Sequence, residues 1–138
     1  MTSEWDAALS WLHARLDDEE RIAGRAGADQ PAWTYDRETF TVSGGSWAIA
    51  ASKDRLGTPM NDVDGVHIAN NDPAAVLRRV ESDRRVLAVY DAAHNIASHD
   101  AESEARFYLM CDVVKAFAQR YAHLPDFPDV LRADPAST

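Results

Sequence analysis

The stretch Val66-His67-Ile68-Ala69-Asn70-Asn71-Asp72-Pro73-Ala74-Ala75-Val76-Leu77 decides how the rest of the chain is read. Val66-His67-Ile68 reads as a short apolar strand, and the residues after it mark the start of a helix. Asp72 suits the N-cap, because a carboxylate there accepts from the free N–H groups of the first turn. Pro73 suits the first helical position, where its missing N–H costs nothing and its fixed φ is already helical. The helix that follows separates a β-containing first half from a helical second half.

Downstream, Val76, Leu77, Val80, Leu87 and Tyr90 recur at helical spacing to about residue 95, with Val86, Val89 and Ala93 widening the face. Arg84 falls on the same stripe. Either its stem packs while the guanidinium reaches solvent, or it meets a carboxylate, with Glu81 and Asp91 in reach. A break over Ile96–Asp100, with Ser98 or Asp100 capping a third helix, is preferred to one continuous rod, because a folded-back pair buries more apolar surface. The third helix carries Phe107, Met110, Val114, Phe117 and Tyr121 at spacings of three and four. Residues 124–131 then read as an extended segment wrapping back.

Upstream, residues 3 to about 24 read as an amphipathic helix on Trp5, Leu9, Leu12 and Leu16, with Ala8 and Ile22 extending the stripe. Ser3 and Asp6 form a weak capping box. Trp11 lies off that stripe and, if exposed, is a natural anchor for a partner. The run Asp17-Asp18-Glu19-Glu20 reads as a solvated acidic face, since neighbouring helix positions point in different directions. Gly44-Gly45 between Thr39–Ser43 and Ser46–Ala50 signals a two-residue hairpin turn, pairing Val42 with Trp47, Thr41 with Ala48 and Phe40 with Ile49. Trp33-Thr34-Tyr35 adds a further strand. Asp54, Asp62 and Asp64 lie in a polar loop that lacks the alternating ligands and terminal Glu of a calcium-binding loop. The expected fold is α+β: an N-terminal amphipathic helix, a small antiparallel β-sheet built on the hairpin, and two long C-terminal helices packed on it. Residues 1–131 are expected to form a single domain and 132–138 a flexible tail.

The net charge is −9, from 23 acidic against 14 basic side chains. That balance argues against direct nucleic-acid binding, which needs a basic face to displace counterions from phosphates, and against docking on an anionic membrane. It suits a protein partner with a basic surface. A single cysteine, Cys111, excludes an internal disulfide and weakens any structural zinc site. No apolar run approaches the ~20 residues of a membrane span. Met1–Asp6 has neither a basic nor an apolar leader region, so a cytoplasmic location is expected.

Two stretches carry a resemblance. The opening 66–77 segment, with Val80-Glu81 and Arg84-Arg85 after it, resembles a family of small uncharacterised proteins from actinobacteria and their phages, with a His-Ile-Ala-x-x-Asp-Pro-Ala-x-Val-Leu helix-opening motif. Cys111–Ala118 followed by Tyr121–Phe127 is similar to the same family's C-terminal segment. The resemblance implies a bacterial or phage origin and points to His67, Asp72, Pro73, Arg84 and Cys111. Many members carry a second histidine where this chain has Asn71, and some carry extra cysteines where it has Ala101–Arg106, so the zinc site those members imply is weakened here.

Candidate residues follow. His67 has the chemistry of an acid, a base or an anion ligand near a helix N-terminus, against the plainer role of a packed ring bonding the turn. His94, His99, Asp100 and Cys111 would converge if the last two helices fold back, as ligands for zinc or another divalent metal in a metal-dependent hydrolase. Asp100 as a helix cap competes with that role. Cys111 is a nucleophile or a buried, inert thiol. The leading expectation is a non-enzymatic, acidic, cofactor-free interaction protein, a phage or prophage accessory factor binding a host protein through His67, Asp72, Arg84 or Trp11, with a homodimer left open. The alternative is the metal-binding domain.

Overall fold

The computed structural model describes residues 3–28, 30–45, 47–50 and 61–133, and for Trp47 the backbone only. The elements run α1 (Ser3–Ala26), β1 (Thr34–Asp36), β2 (Thr41–Gly44), β3 (Trp47–Ala50), α2 (Asp62–Asn70), α3 (Pro73–Ile96) and α4 (Ala101–Ala118), followed by single 3₁₀ turns at Gln119–Tyr121 and Asp129–Leu131. Four helices with one three-stranded antiparallel sheet make the fold α+β, with the N-terminal helix and the long C-terminal pair where the apolar periodicity puts them. Two compact units form, one from the residues up to Leu16 together with those from Glu81 onward, the other from Asp17–Val80. Residues 134–138 of the expected tail lie outside the described residues, as does Asp54.

The first unit is helical. Trp5, Ala8, Leu12 and Leu16 of α1 are buried, while Leu9 is half-buried. From α3 come Leu87 and Tyr90, and from α4 Phe107, Cys111, Val114 and Ala118. The Trp5 indole N–H donates to the Tyr90 hydroxyl at 2.8 Å, and the Tyr90 ring lies 5.7 Å from Phe107, so three helices meet at one aromatic cluster. Burial and the Trp5 hydrogen bond act oppositely on the Tyr90 phenol; burial wins and raises its pKa. Asp100 caps α4, its carboxylate accepting the Ser103 N–H at 2.7 Å, which holds that carboxyl below its ordinary pKa. The chain after α4 returns Phe127 and Leu131 to the core, and the Gln119 side chain donates to the Leu131 carbonyl.

The second unit holds the sheet, in order β1-β2-β3. The Asp36 carboxylate accepts from the N–H groups of Glu38 and Thr39, closing the β1–β2 loop. Phe40 ends that loop at φ +51°, a left-handed conformation that is strained for a non-glycine residue. The hairpin turn lies one residue later than the sequence expectation, which displaces the pairing register by two residues. Gly44 pairs with Trp47 and Ser43 with Ala48, then Val42 pairs with Ala50, leaving Ile49 as an extra residue. The reason is steric. A Cβ on Gly44 would sit 2.8 Å from Trp33 Cδ1, so the first glycine is used for close approach of the indole, and only Gly45, at φ +62°, makes the turn.

The larger correction concerns residues 66–68, which are not a strand. They belong to α2. Asn61 caps it, its side chain accepting the Val63 N–H at 2.8 Å, and Asp62 and Asp64 place negative charge in the first turn. Gly65, costly in mid-helix by about 1 kcal/mol, is the closest approach to β1: a Cβ there would lie 2.3 Å from the Tyr35 ring. The Tyr35 hydroxyl donates to Asp62 at 2.8 Å. Packing against Tyr35 thus outweighs the poor helix propensity of Gly65, Val66 and Ile68. Val63 and Val66 remain exposed, which a buried strand could not allow.

The helix start at Pro73 stands as read. Asp72 is buried, accepts the Ala75 N–H at 2.7 Å through one carboxylate oxygen and the Trp33 N–H at 2.9 Å through the other. The Pro31 carbonyl takes the Ala74 N–H at 2.9 Å. One carboxylate therefore caps α3 and ties the approach to β1 onto it.

Candidate interaction surface

The residues singled out from sequence fall in different settings. His67 is exposed in the last turn of α2, where the Asn71 side-chain amide donates to its carbonyl at 2.9 Å. Asp72 is committed to two backbone N–H groups. Arg84, in the first unit, is half-buried. The buried charge on α3 is its neighbour Asp83, which forms an ion pair with Arg120. Sequence reasoning missed that pair, because nothing in the spacing links residues so far apart.

Trp11 is half-buried. Its indole N–H donates to Asp126 at 2.9 Å, and its ring meets Tyr121 and Phe127 edge-on at 5.9 and 5.7 Å. The donated hydrogen bond holds the Asp126 carboxyl below its ordinary pKa. Trp11 borders an open cleft of about 460 Å³ with Ala7, Pro128 and Val130. The second unit has a smaller cleft of about 260 Å³ between Ile22, Ala23, Trp33, Pro73 and Val76.

His94 stacks on Tyr90 at 6.2 Å and lies 5.4 Å from the Phe107 ring, while His99 is exposed beside the capping Asp100. Among the described residues no group of three or more His, Cys, Asp or Glu side chains could hold a metal ion, so the set His94, His99, Asp100 and Cys111 is not assembled as ligands. Cys111 is buried, and burial, helped by Asp112, pushes its thiol pKa up and away from the reactive thiolate.

Among the described residues, the outward side of α4 is one of the surfaces that expose large apolar side chains, as Val63 of α2 and Val89 of α3 also do. Opposite the buried stripe of Phe107, Cys111, Val114 and Ala118, the helix presents Tyr108 at 58% exposure, Leu109 at 63% and Val113 at 37%. Ala101, Ala105 and Ala116 are exposed around them. A surface helix ordinarily has one apolar stripe facing the core and polar residues opposite. Here apolar residues share the outer side with charged ones: Asp112 lies between Tyr108 and Leu109, and the Glu102–Arg106 ion pair lies at the N-terminal end of the helix. The sequence signal for this face, Tyr108-Leu109 adjoining Phe107, sits inside the apolar run that otherwise reads as core.

Fold and surface together define a helix-rich α+β protein, among whose described helices none is long and apolar enough to cross a membrane. The chain belongs to the family described as "Family of unknown function (DUF6221)", whose model matches residues 5–131, from the start of the α1 stripe to the last 3₁₀ turn. No curated protein and no solved structure matches it.

Proposed function

We propose that this protein is a non-catalytic interaction protein that docks other proteins through the outward face of α4. The supporting observation is the pair Tyr108 and Leu109, both more than half exposed on a helix whose opposite side is already fully packed. Large apolar side chains grouped on a polar molecule mark contact sites, and burying them on a partner returns about 25 cal/mol per Å² of apolar area. The net charge of −9 favours partners with a basic surface and speeds their encounter. In this reading the chain works in the cytoplasm as an accessory factor of a bacterium or its phage, in line with the resemblance of its helix-opening segment.

A photo-crosslinking residue at position 109, compared with one at Ser10 on the polar outer side of α1, tests this. Adducts should form in cells at 109 and not at 10, and foreign adducts should fade as salt is raised, because charge attraction is screened. Equal labelling at both positions, or none at 109, would reject the α4 surface.

A further inference from the structure

We propose that the cleft beside Trp11 takes a long basic side chain, a lysine or an arginine, from an exposed segment of a partner protein. The residues that form it all belong to the first unit, and the site is separate from the α4 face. On α1, Glu4, Ala7 and Trp11 recur at helical spacing, so they share one side of the helix. Glu4 and Trp11 stand two turns apart, about 10 Å along the axis. Ala7, between them, keeps that wall low. Pro128 and Val130, both half-buried, make the facing wall. The volume of about 460 Å³ falls within the ~300–1,000 Å³ of sites that hold a small ligand or a side chain.

Charge decides the occupant. Every charged residue lining the cleft is a carboxylate: Glu4, Asp126 and Asp129, all exposed at its rim. Two arginines lie close by without lining it. Arg132 reaches Oδ1 of Asp129 at 2.8 Å, and the Arg15 guanidinium lies over the Trp11 ring at 5.4 Å. Asp126 meets a neutral donor instead, the Trp11 indole N–H at its Oδ2, which keeps that carboxyl ionised. The Glu4 carboxylate has no ion-pair partner among the described residues. Apolar walls under a rim of carboxylates match a side chain that is apolar along its stem and cationic at its end, the stem covering Ala7, Pro128 and Val130 while the head reaches Glu4 or Asp126. An anionic side chain would meet like charges there, and an apolar one would gain nothing from the rim.

Titration of capped pentapeptides, followed at the Trp11 indole N–H resonance, tests this. The peptides carry lysine, arginine, norleucine or glutamate at the centre and are otherwise glycine and serine. Trp11→Phe identifies the resonance. At least one of the lysine and arginine peptides should shift it saturably, and the norleucine and glutamate peptides should bind at least about fivefold more weakly. Glu4→Gln should weaken the basic peptide by about fivefold, the loss of one exposed charge pair. Ala7→Phe, which fills the cleft without changing charge, should abolish the shift. Leu109→Ser should leave it unchanged. Circular dichroism checks that each chain is folded. No shift with either basic peptide, or equal binding of norleucine, would overturn the proposal. So would indifference to Glu4→Gln and Ala7→Phe, which would mean diffuse attraction to the acidic surface, or loss of the shift in Leu109→Ser, which would put the peptide on α4. Failure of crosslinking at position 109 rejects the α4 face and leaves the cleft standing, so the two readings fail separately.

Discussion

Two helices of the first unit, α1 up to Leu16 and α4, bury equally well-formed apolar stripes but differ on their outer sides. Opposite Trp5, Ala8, Leu12 and Leu16, α1 shows the small residues Ser3, Ala7, Ser10 and Ala14 to solvent, with Asp6 and His13 at the side. Opposite Phe107, Cys111, Val114 and Ala118, α4 shows Ala105, Leu109 and Val113 together with Glu102 and Asp112, with Tyr108 at the side. The inner stripes account for folding, since each removes apolar area from water within the chain. The outer side of α1 needs nothing further. The outer side of α4 leaves apolar area of Tyr108, Leu109 and Val113 in water that the fold does not use, and under the proposed function that area serves association.

The sharpest way to break the comparison is to truncate one leucine on each helix. Leu12→Ala removes a fully buried side chain and should cost about 2–5 kcal/mol of unfolding free energy. Leu109→Ala should stay within about 0.5 kcal/mol in denaturant titration, as exposed substitutions do, while weakening association. Comparable folding losses for the two would place Leu109 in the core and end the distinction. A smaller effect is expected in the second unit. Asp72→Ala strips the N–H groups of Ala75 and Trp33 of their acceptor and should cost about 1–3 kcal/mol. It should leave adduct formation at position 109 untouched, which photo-crosslinking can check.

The smallest effect is in pH dependence. Asp126, bonded by the Trp11 indole, and Asp100, bonded by the Ser103 N–H, both have folded pKa values below the ordinary aspartate range. A depressed folded pKa contributes stability that is present above the unfolded value of about 4 and is lost as pH falls through the folded value. Melting temperatures taken downward from neutral pH should therefore drop through the acid range. Trp11→Phe removes the donor to Asp126, so the gap between wild type and variant should narrow as pH falls; a constant gap would mean that Trp11 acts through packing alone.

How far the sequence carried can be judged at particular residues. Asp72-Pro73 located the start of α3, and the choice of Ser98 or Asp100 bracketed the start of α4, where Asp100 is the cap, because caps and first-turn prolines are local chemistry written in adjacent letters. The α1, α3 and α4 stripes were legible from periodicity over short spans, though Ile22 of α1 and Val89 of α3 proved exposed where the periodicity placed them inward. Residues 66–68 were misread because β-branched side chains after a glycine suit a strand. The decisive partner, the Tyr35 ring over Gly65, lies thirty residues away in sequence. The Asn61-Asp62-Val63-Asp64 cap signal was there to be read and was outweighed by the Val-His-Ile run.

By itself, then, the sequence determined the α+β class, three of the four helices and the cap of α3, the α4 cap to one of two residues, the hairpin turn's position to within one residue, and the strongly acidic balance. Those are consequences of periodicity, backbone preference and charge count over short spans. Only the tertiary structure decided that Gly65 lies under an aromatic ring, that Asp83 and not Arg84 is the buried charge of α3, that His94 stacks on Tyr90, and that Tyr108 and Leu109 face outward from a helix already filled on its other side. Which of two apolar faces is covered depends on which distant elements arrive to cover it, and the free energy that brings them belongs to the whole chain.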